Sequence, residues 1–145
     1  MPKEVLVETD FLFGLNARDK LFPKVLRILE ERKKGRLKVI ISSASPIEVF
    51  LALFSRNMSY EVITKVIKLM NAKLAEYRIN DFAPITLDVV VKALELRMKY
   101  KELTLFDSIH ISLAKTLSIP LLTSDNVMLK VMEQEKIKHL SYEAI

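Results

Sequence analysis

The chain has 145 residues, half of them hydrophobic, no cysteine, and a formal net charge of +5 from 23 Lys and Arg against 18 Asp and Glu. That length suits a single domain, residues 1–145, with a real core; the missing cysteines exclude disulfides and thiolate zinc sites. No apolar stretch approaches the roughly 20 residues of a membrane span. Met1-Pro2-Lys3-Glu4 leads at once into an apolar run, so no secretory leader is expected and a cytoplasmic location is.

Residues 4–8 read as a buried strand. Asp19 is placed to cap a helix to about Lys34, with Leu21, Val25, Ile28 and Leu29 on one face and Gly35 at the stop. A second strand is expected over 37–42. Ser45-Pro46-Ile47-Glu48 then opens a helix through about Ser55. Asn57-Met58-Ser59 breaks and recaps the chain before a longer helix to about Tyr77, with Val62, Val66, Leu69, Met70 and Leu74 periodic. A short strand near 82–85 precedes a helix from Leu87 to Lys101 capped by Thr86. Helices over 104–117 and 126–135 flank a strand at 119–123, and a last strand is expected at 138–141. Strand–helix alternation of this kind gives a mostly parallel sheet of four to five strands, with helices on both faces.

Five acids stand where a predicted strand ends or a helix begins: Glu8, Asp10, Glu48, Asp107 and Asp125. In an open α/β sheet one set of strand ends forms the functional crevice, so these acids are candidates to meet there. Carboxylates held together repel by roughly 4 kcal/mol per pair at about 4 Å in an effective dielectric near 20. A hard divalent cation relieves that repulsion.

Each acid also has a structural explanation. Ser45-x-x-Glu48 and Thr104-x-x-Asp107 have capping-box spacing, Asp125 is a plausible N-cap, and Asp10 could cap the turn Phe11–Asn16. Glu8 resists this treatment, since an ionised group ending a buried strand needs a partner. Capping explains helix starts but not why separate strands share the pattern, and the joint case favours a metal site. The basic residues gather in Arg32-Lys33-Lys34-Gly35-Arg36 with Lys38, and along Arg97, Lys99 and Lys101. They read either as a basic surround that draws a polyanion toward the acids or as solvated helix faces.

The segments Val5-Leu6-Val7-Glu8-Thr9-Asp10-Phe11-Leu12, Ile41-Ser42-Ser43-Ala44-Ser45-Pro46-Ile47-Glu48, Phe106-Asp107-Ser108-Ile109-His110-Ile111-Ser112-Leu113-Ala114 and Ile119-Pro120-Leu121-Leu122-Thr123-Ser124-Asp125, in that order, resemble the PIN-domain ribonucleases, which include the VapC toxins of VapBC toxin–antitoxin pairs. The resemblance implies a three-layer α/β/α sandwich. It also implies Mg2+- or Mn2+-dependent hydrolysis of RNA phosphodiester bonds by an endoribonuclease. Glu8, Glu48, Asp107 and Asp125 would be the catalytic metal ligands, and Thr9, Ser45, Ser108 and Thr123, with Ser42 as a further candidate, would orient them. One departure is that the family places Asp before the Thr, where this chain has Glu8. Asp10 therefore stays in play as a ligand, since both acids point to one side if the strand remains extended.

Oxygen-only ligands suit Mg2+ or Mn2+ rather than zinc. His110 and His139 are far apart in sequence and read as packed or partly exposed residues rather than ligands. A phosphatase of the haloacid-dehalogenase type is imitated by Glu8-Thr9-Asp10, but its nucleophile must be Asp. The other class of reading is a catalytically silent PIN fold that binds RNA or a protein. A toxin would pair with a small antitoxin whose peptide enters the acidic groove, and the apolar helices over 45–77 predict a homodimer surface.

Overall fold

The computed structural model describes residues 2–145. Five strands, β1 (Lys3–Val7), β2 (Leu37–Ser42), β3 (Asp81–Ala83), β4 (Leu121–Leu122) and β5 (His139–Leu140), form one sheet in the order β3-β2-β1-β4-β5. Every pairing is parallel. The connections carry α1 (Thr9–Phe13), α2 (Phe22–Lys33), α3 (Ser45–Ser55), α4 (Tyr60–Glu76), α5 (Leu87–Lys99), α6 (Leu105–Leu117) and α7 (Asn126–Gln134).

Side-chain alternation along the central strands splits the interior in two. Val5, Val7, Val39, Ile41 and Leu122 face one core with residues of α1–α4, including Phe11, Ile28, Val49 and Ile63. Leu6, Ile40 and Leu121 face the other, with Val89 of α5, Ile111 and Leu113 of α6, and Met128 and Met132 of α7. Burial on both faces is why these strands are continuously apolar rather than alternating. The result is the expected α/β/α sandwich. No helix among the described residues is long and apolar enough to cross a membrane.

Local chemistry sets most boundaries. Ser59, Thr86, Thr104 and Asp125 are N-caps whose side chains accept a main-chain N–H, as their residue types favour. Gly35 follows α2 with φ +75°, in the left-handed region glycine adopts without strain. Gly14 is required for space, because a Cβ there would lie 2.5 Å from Val25 Cγ2.

Three expectations are corrected. The second helix starts at Phe22 rather than Asp19; Asp19 instead accepts the Leu21 N–H at 2.8 Å in a turn ahead of it. Two strands are shorter than expected, edge strand β3 ending before Pro84 and internal strand β4 starting after Pro120, because proline has no N–H to donate to a ladder. The first strand stops at Val7 and the chain turns helical at Thr9, so Glu8 and Asp10 do not share one side of an extended strand.

After β1 the chain moves outward to β2 and β3, then returns to place β4 on the other side of β1. β1 and β4 therefore flank the point where strand order reverses, the position at which such sheets bind ligands beyond the strand C-termini.

Candidate functional site

Glu8 follows the last residue of β1 and is the N-cap of α1. Its Oε1 accepts the Asp10 N–H at 2.6 Å, and its Oε2 accepts the Thr123 hydroxyl at 3.2 Å. The side chain is only 6% exposed. Burial, then the charges of Asp10 and Glu48, push its titration well above the ordinary value of 4.5.

Asp107 and Asp125 both double as capping residues. Thr104 and Asp107 form a reciprocal box, the Asp107 N–H donating to Thr104 Oγ1 at 3.1 Å and the Thr104 N–H to Asp107 Oδ2 at 3.2 Å. Burial raises the Asp107 titration, and the charges of Asp125 and Glu48 raise it further. Asp125 Oδ1 accepts the Met128 N–H at 3.0 Å at the start of α7. Thr123 lies between the two flanks: its hydroxyl accepts the Asp125 N–H at 3.1 Å while donating to Glu8.

Glu48 is held differently. The capping box expected with Ser45 does not form, because Ala44 is the N-cap of α3 and makes no side-chain cap hydrogen bond. The Glu48 carboxylate turns away from its own helix, and its Oε1 accepts from Thr9 Oγ1 and, at 2.8 Å, from His110 Nε2. Burial would raise its titration, but these two hydrogen bonds and the His110 ring outweigh it and lower the value below 4.5.

The residues expected to orient the acids divide. Thr9 and Thr123 donate to them. The Ser108 hydroxyl instead donates to the Thr104 carbonyl at 2.9 Å, and buried Ser45 Oγ has no partner among the described residues. Ser42 reaches Glu48 only through His110, whose Nδ1 lies 2.7 Å from Ser42 Oγ. Sequence reasoning placed His110 on the helix of Asp107 but left it without a job; its link to Glu48 spans 62 positions and carries no local signal.

Asp10, like Glu8, has both carboxylate oxygens engaged, but all its partners lie in the C-terminal half of the chain. Its Oδ2 accepts both the Ser124 N–H at 2.8 Å and the Ser124 hydroxyl at 2.7 Å, and its Oδ1 accepts the Tyr142 hydroxyl at 3.0 Å. With both oxygens taken, Asp10 ties the β4–α7 turn and the C-terminal segment to α1. Asp107, Asp125 and Glu48 each direct one oxygen at the protein and leave the other without a hydrogen bond among the described residues.

The donor set fits a hard cation in its chemistry: it offers carboxylate oxygens from four separate segments, and burial with neighbouring acid charge raises the titrations of two of them, Glu8 and Asp107. Among the described residues no three of His, Asp or Glu are arranged to hold an ion as they stand. The Arg32–Lys38 basic cluster sits away from the acids. Arg36 and Lys38 flank the opposite end of β2, where Arg36 lines a broad groove of about 1120 Å3 with Lys3, Arg27 and Lys138. It does not surround the acidic edge.

Several solved structures share this fold. VapBC-1 from nontypeable Haemophilus influenzae aligns with 97% of this chain and 98% of its own at 13% identity and a TM-score of 0.66. VapBC2 from Rickettsia felis, solved bound to a promoter DNA fragment, aligns over 95% and 98% at 15% identity and 0.67. VapC20 from Mycobacterium tuberculosis, a sarcin–ricin loop cleaving toxin, aligns over 87% and 93% at 17% identity and 0.65. No curated protein matches the sequence. The PIN domain sequence profile matches residues 5–134, from β1 to the end of α7. On that match, with the parallel sheet and its reversal between β1 and β4, the chain belongs to the PIN-domain family.

Proposed function

We propose that this PIN-domain chain is a metal-dependent endoribonuclease, with Glu8, Glu48, Asp107 and Asp125 as the metal-holding acids and Mg2+ or Mn2+ as the cofactor. One observation supports the reading: four acids from separate segments stand at or near helix starts beyond the strands, and burial with the charges of Asp10, Glu48 and Asp125 raises the titrations of Glu8 and Asp107. Such an arrangement costs stability unless a cation offsets it.

A bound divalent cation supplies Lewis acidity, polarising a phosphate and acidifying a water. The chain's own part is to hold the acids still. Thr123 ties Glu8 to the turn carrying Asp125, and Thr9 ties Glu48 to the end of β1. Main-chain N–H groups fix Asp107 and Asp125, leaving their free oxygens for direct or water-mediated ligation. Both Glu8 and Asp10 have their oxygens hydrogen-bonded; in this reading Asp10 is the structural clip, because its partners Ser124 and Tyr142 tie the β4–α7 turn and the C-terminal segment to α1, and ligation falls to Glu8.

The toxin half of a VapBC-type pair is the biological role we favour, acting in the cytoplasm, with a small antitoxin peptide entering the acidic groove, an Arg side chain being suited to it. The exposed apolar side chains Ile47, Leu51 and Phe54 of α3 and Tyr60, Val62 and Leu69 of α4 support a homodimer surface.

A silent PIN fold that grips RNA or protein is the second reading. It is favoured by Glu8, both of whose oxygens already accept hydrogen bonds. Incubation with single-stranded RNA and Mn2+, with and without chelator, separates the two. Metal-dependent shortening of the RNA is expected; binding without cleavage at every Mn2+ concentration favours the silent fold.

A further inference from the structure

Four of the five acids receive a main-chain N–H. Glu8 takes that of Asp10, Asp10 that of Ser124, Asp107 that of Thr104, and Asp125 that of Met128. These donors are as rigid as the backbone. Glu48 receives none among the described residues. Its helix begins without a side-chain cap, the nearby Ser45 hydroxyl is buried and has no partner among the described residues, and its carboxylate reaches across to another element. The group it finds is the His110 ring.

His110 is fully buried, and α6 packs it between the end of β2 and α3. Both ring nitrogens are engaged, Nδ1 with Ser42 Oγ at 2.7 Å and Nε2 with Glu48 Oε1 at 2.8 Å. A proton on Nε2 satisfies both contacts: the ring donates to the carboxylate while Nδ1 accepts from the serine hydroxyl. Ser42 lies at the C-terminal end of β2, so the ring's orientation is referred to the sheet itself.

We propose that His110 is a positioning residue: held by Ser42, its imidazole supplies Glu48 with the fixed N–H donor that the backbone supplies to the other acids. It acts together with Thr9 on the same oxygen, Oε1, and thereby presents Oε2 to the cation. The proposal rests on the metal-dependent reading of the acidic edge. It gives His110 no contact with metal or RNA. Partners that orient metal-holding carboxylates in this way commonly account for 10–100-fold in metal affinity.

The test compares Mn2+ binding to the metal-free protein by calorimetry for wild type, His110→Gln and His110→Asn, with folding followed by thermal melting. The glutamine amide reaches the place of Nε2 and restores a donor to Glu48. The asparagine amide reaches only the place of Nδ1, keeping Ser42 and leaving Glu48 without it. His110→Asn should weaken Mn2+ binding by about tenfold or more, His110→Gln should recover most of it, and His110→Asn should add nothing in a Glu48→Gln background. Equal Mn2+ affinity in folded wild type and His110→Asn overturns the proposal, as does an undiminished effect in the Glu48→Gln background.

A second measurement needs no variant. In wild type labelled with 15N-histidine, Mg2+ should shift the Nε2 resonance of His110 along the binding isotherm, while His139, bonded through Nδ1 to the Ile137 carbonyl, stays put. Saturable Mg2+ binding with an unmoved His110 also sinks the proposal. Absence of any Mn2+ or Mg2+ binding by wild type refutes the metal-dependent reading itself, a distinguishable result.

Discussion

Asp107 is where capping and catalysis make opposite predictions. Its Oδ2 accepts the Thr104 N–H at 3.2 Å, and its own N–H donates to Thr104 Oγ1. Asp107→Asn keeps an acceptor in that place and loses only the charge. The loss removes a favourable interaction with the helix N-terminus of about 0.3–1 kcal/mol. It also removes repulsion from Asp125 and Glu48, so the metal-free variant should match or slightly exceed wild-type stability. Asp107→Ala loses the hydrogen bond as well, a further ~1 kcal/mol. Cleavage should respond to charge alone. A unit charge beside a cation in a partly buried site is worth several kcal/mol, so both variants should lose on the order of 100-fold or more in rate. The assay pairs denaturant unfolding in chelator with cleavage of a fluorophore–quencher RNA in Mn2+. Saturating Mn2+, at 100 times its Kd, should stabilise wild type by about 2.7 kcal/mol and leave Asp107→Asn near its metal-free stability. An Asp107→Asn protein that cleaves at the wild-type rate would refute the reasoning and leave Asp107 a capping residue only.

Glu8 and Asp10 are expected to part in the same assays. Glu8→Gln should weaken Mn2+ binding by on the order of 100-fold, whereas Asp10→Asn, whose parent side chain is fully occupied by Ser124 and Tyr142, should bind Mn2+ within a few-fold of wild type; the reverse order in titration calorimetry would make Asp10 the ligand. Glu8 also sets a pH dependence. Its folded titration lies well above 4.5, so in that window the folded state holds a proton the unfolded state has released, and metal-free stability falls as pH rises through it until the folded group ionises. Glu8→Gln should flatten that fall in urea unfolding at successive pH values, and an unchanged slope would contradict the assignment. Phe54 is half exposed at 50% and belongs to a mutually stacked trio with Phe50 and Tyr60. Phe54→Glu should shift sedimentation from dimer to monomer, and a wild type of monomer mass at all concentrations removes the dimer.

What the linear order of residues determined by itself was whatever local chemistry controls. The apolar run Leu37–Ser42 is a strand, and the periodic Tyr60–Glu76 is a helix. Ser59, Thr86, Thr104 and Asp125 cap where their types and spacing said they would. Each of these depends on groups a few positions apart. Strand–helix alternation was enough for a mostly parallel three-layer sheet, since parallel strands need crossovers.

Tertiary structure decided the rest. The sheet order, which brings β4 beside β1, depends on packing between residues more than 100 positions apart. Ser45 and Thr104 have the same spacing to their acids, yet only Thr104 forms the box, because α3 begins one residue early with Ala44 as its N-cap, and the Glu48 carboxylate pairs instead with Thr9 and His110. Asp10 looked equivalent to Glu8 along an extended strand; a helical turn at Thr9 and a hydroxyl 132 positions away gave it another task. Carboxylates are long-ranged and promiscuous in their partners, so which of them faces its own helix, a neighbouring ring or a shared cleft is settled only when the whole chain has folded.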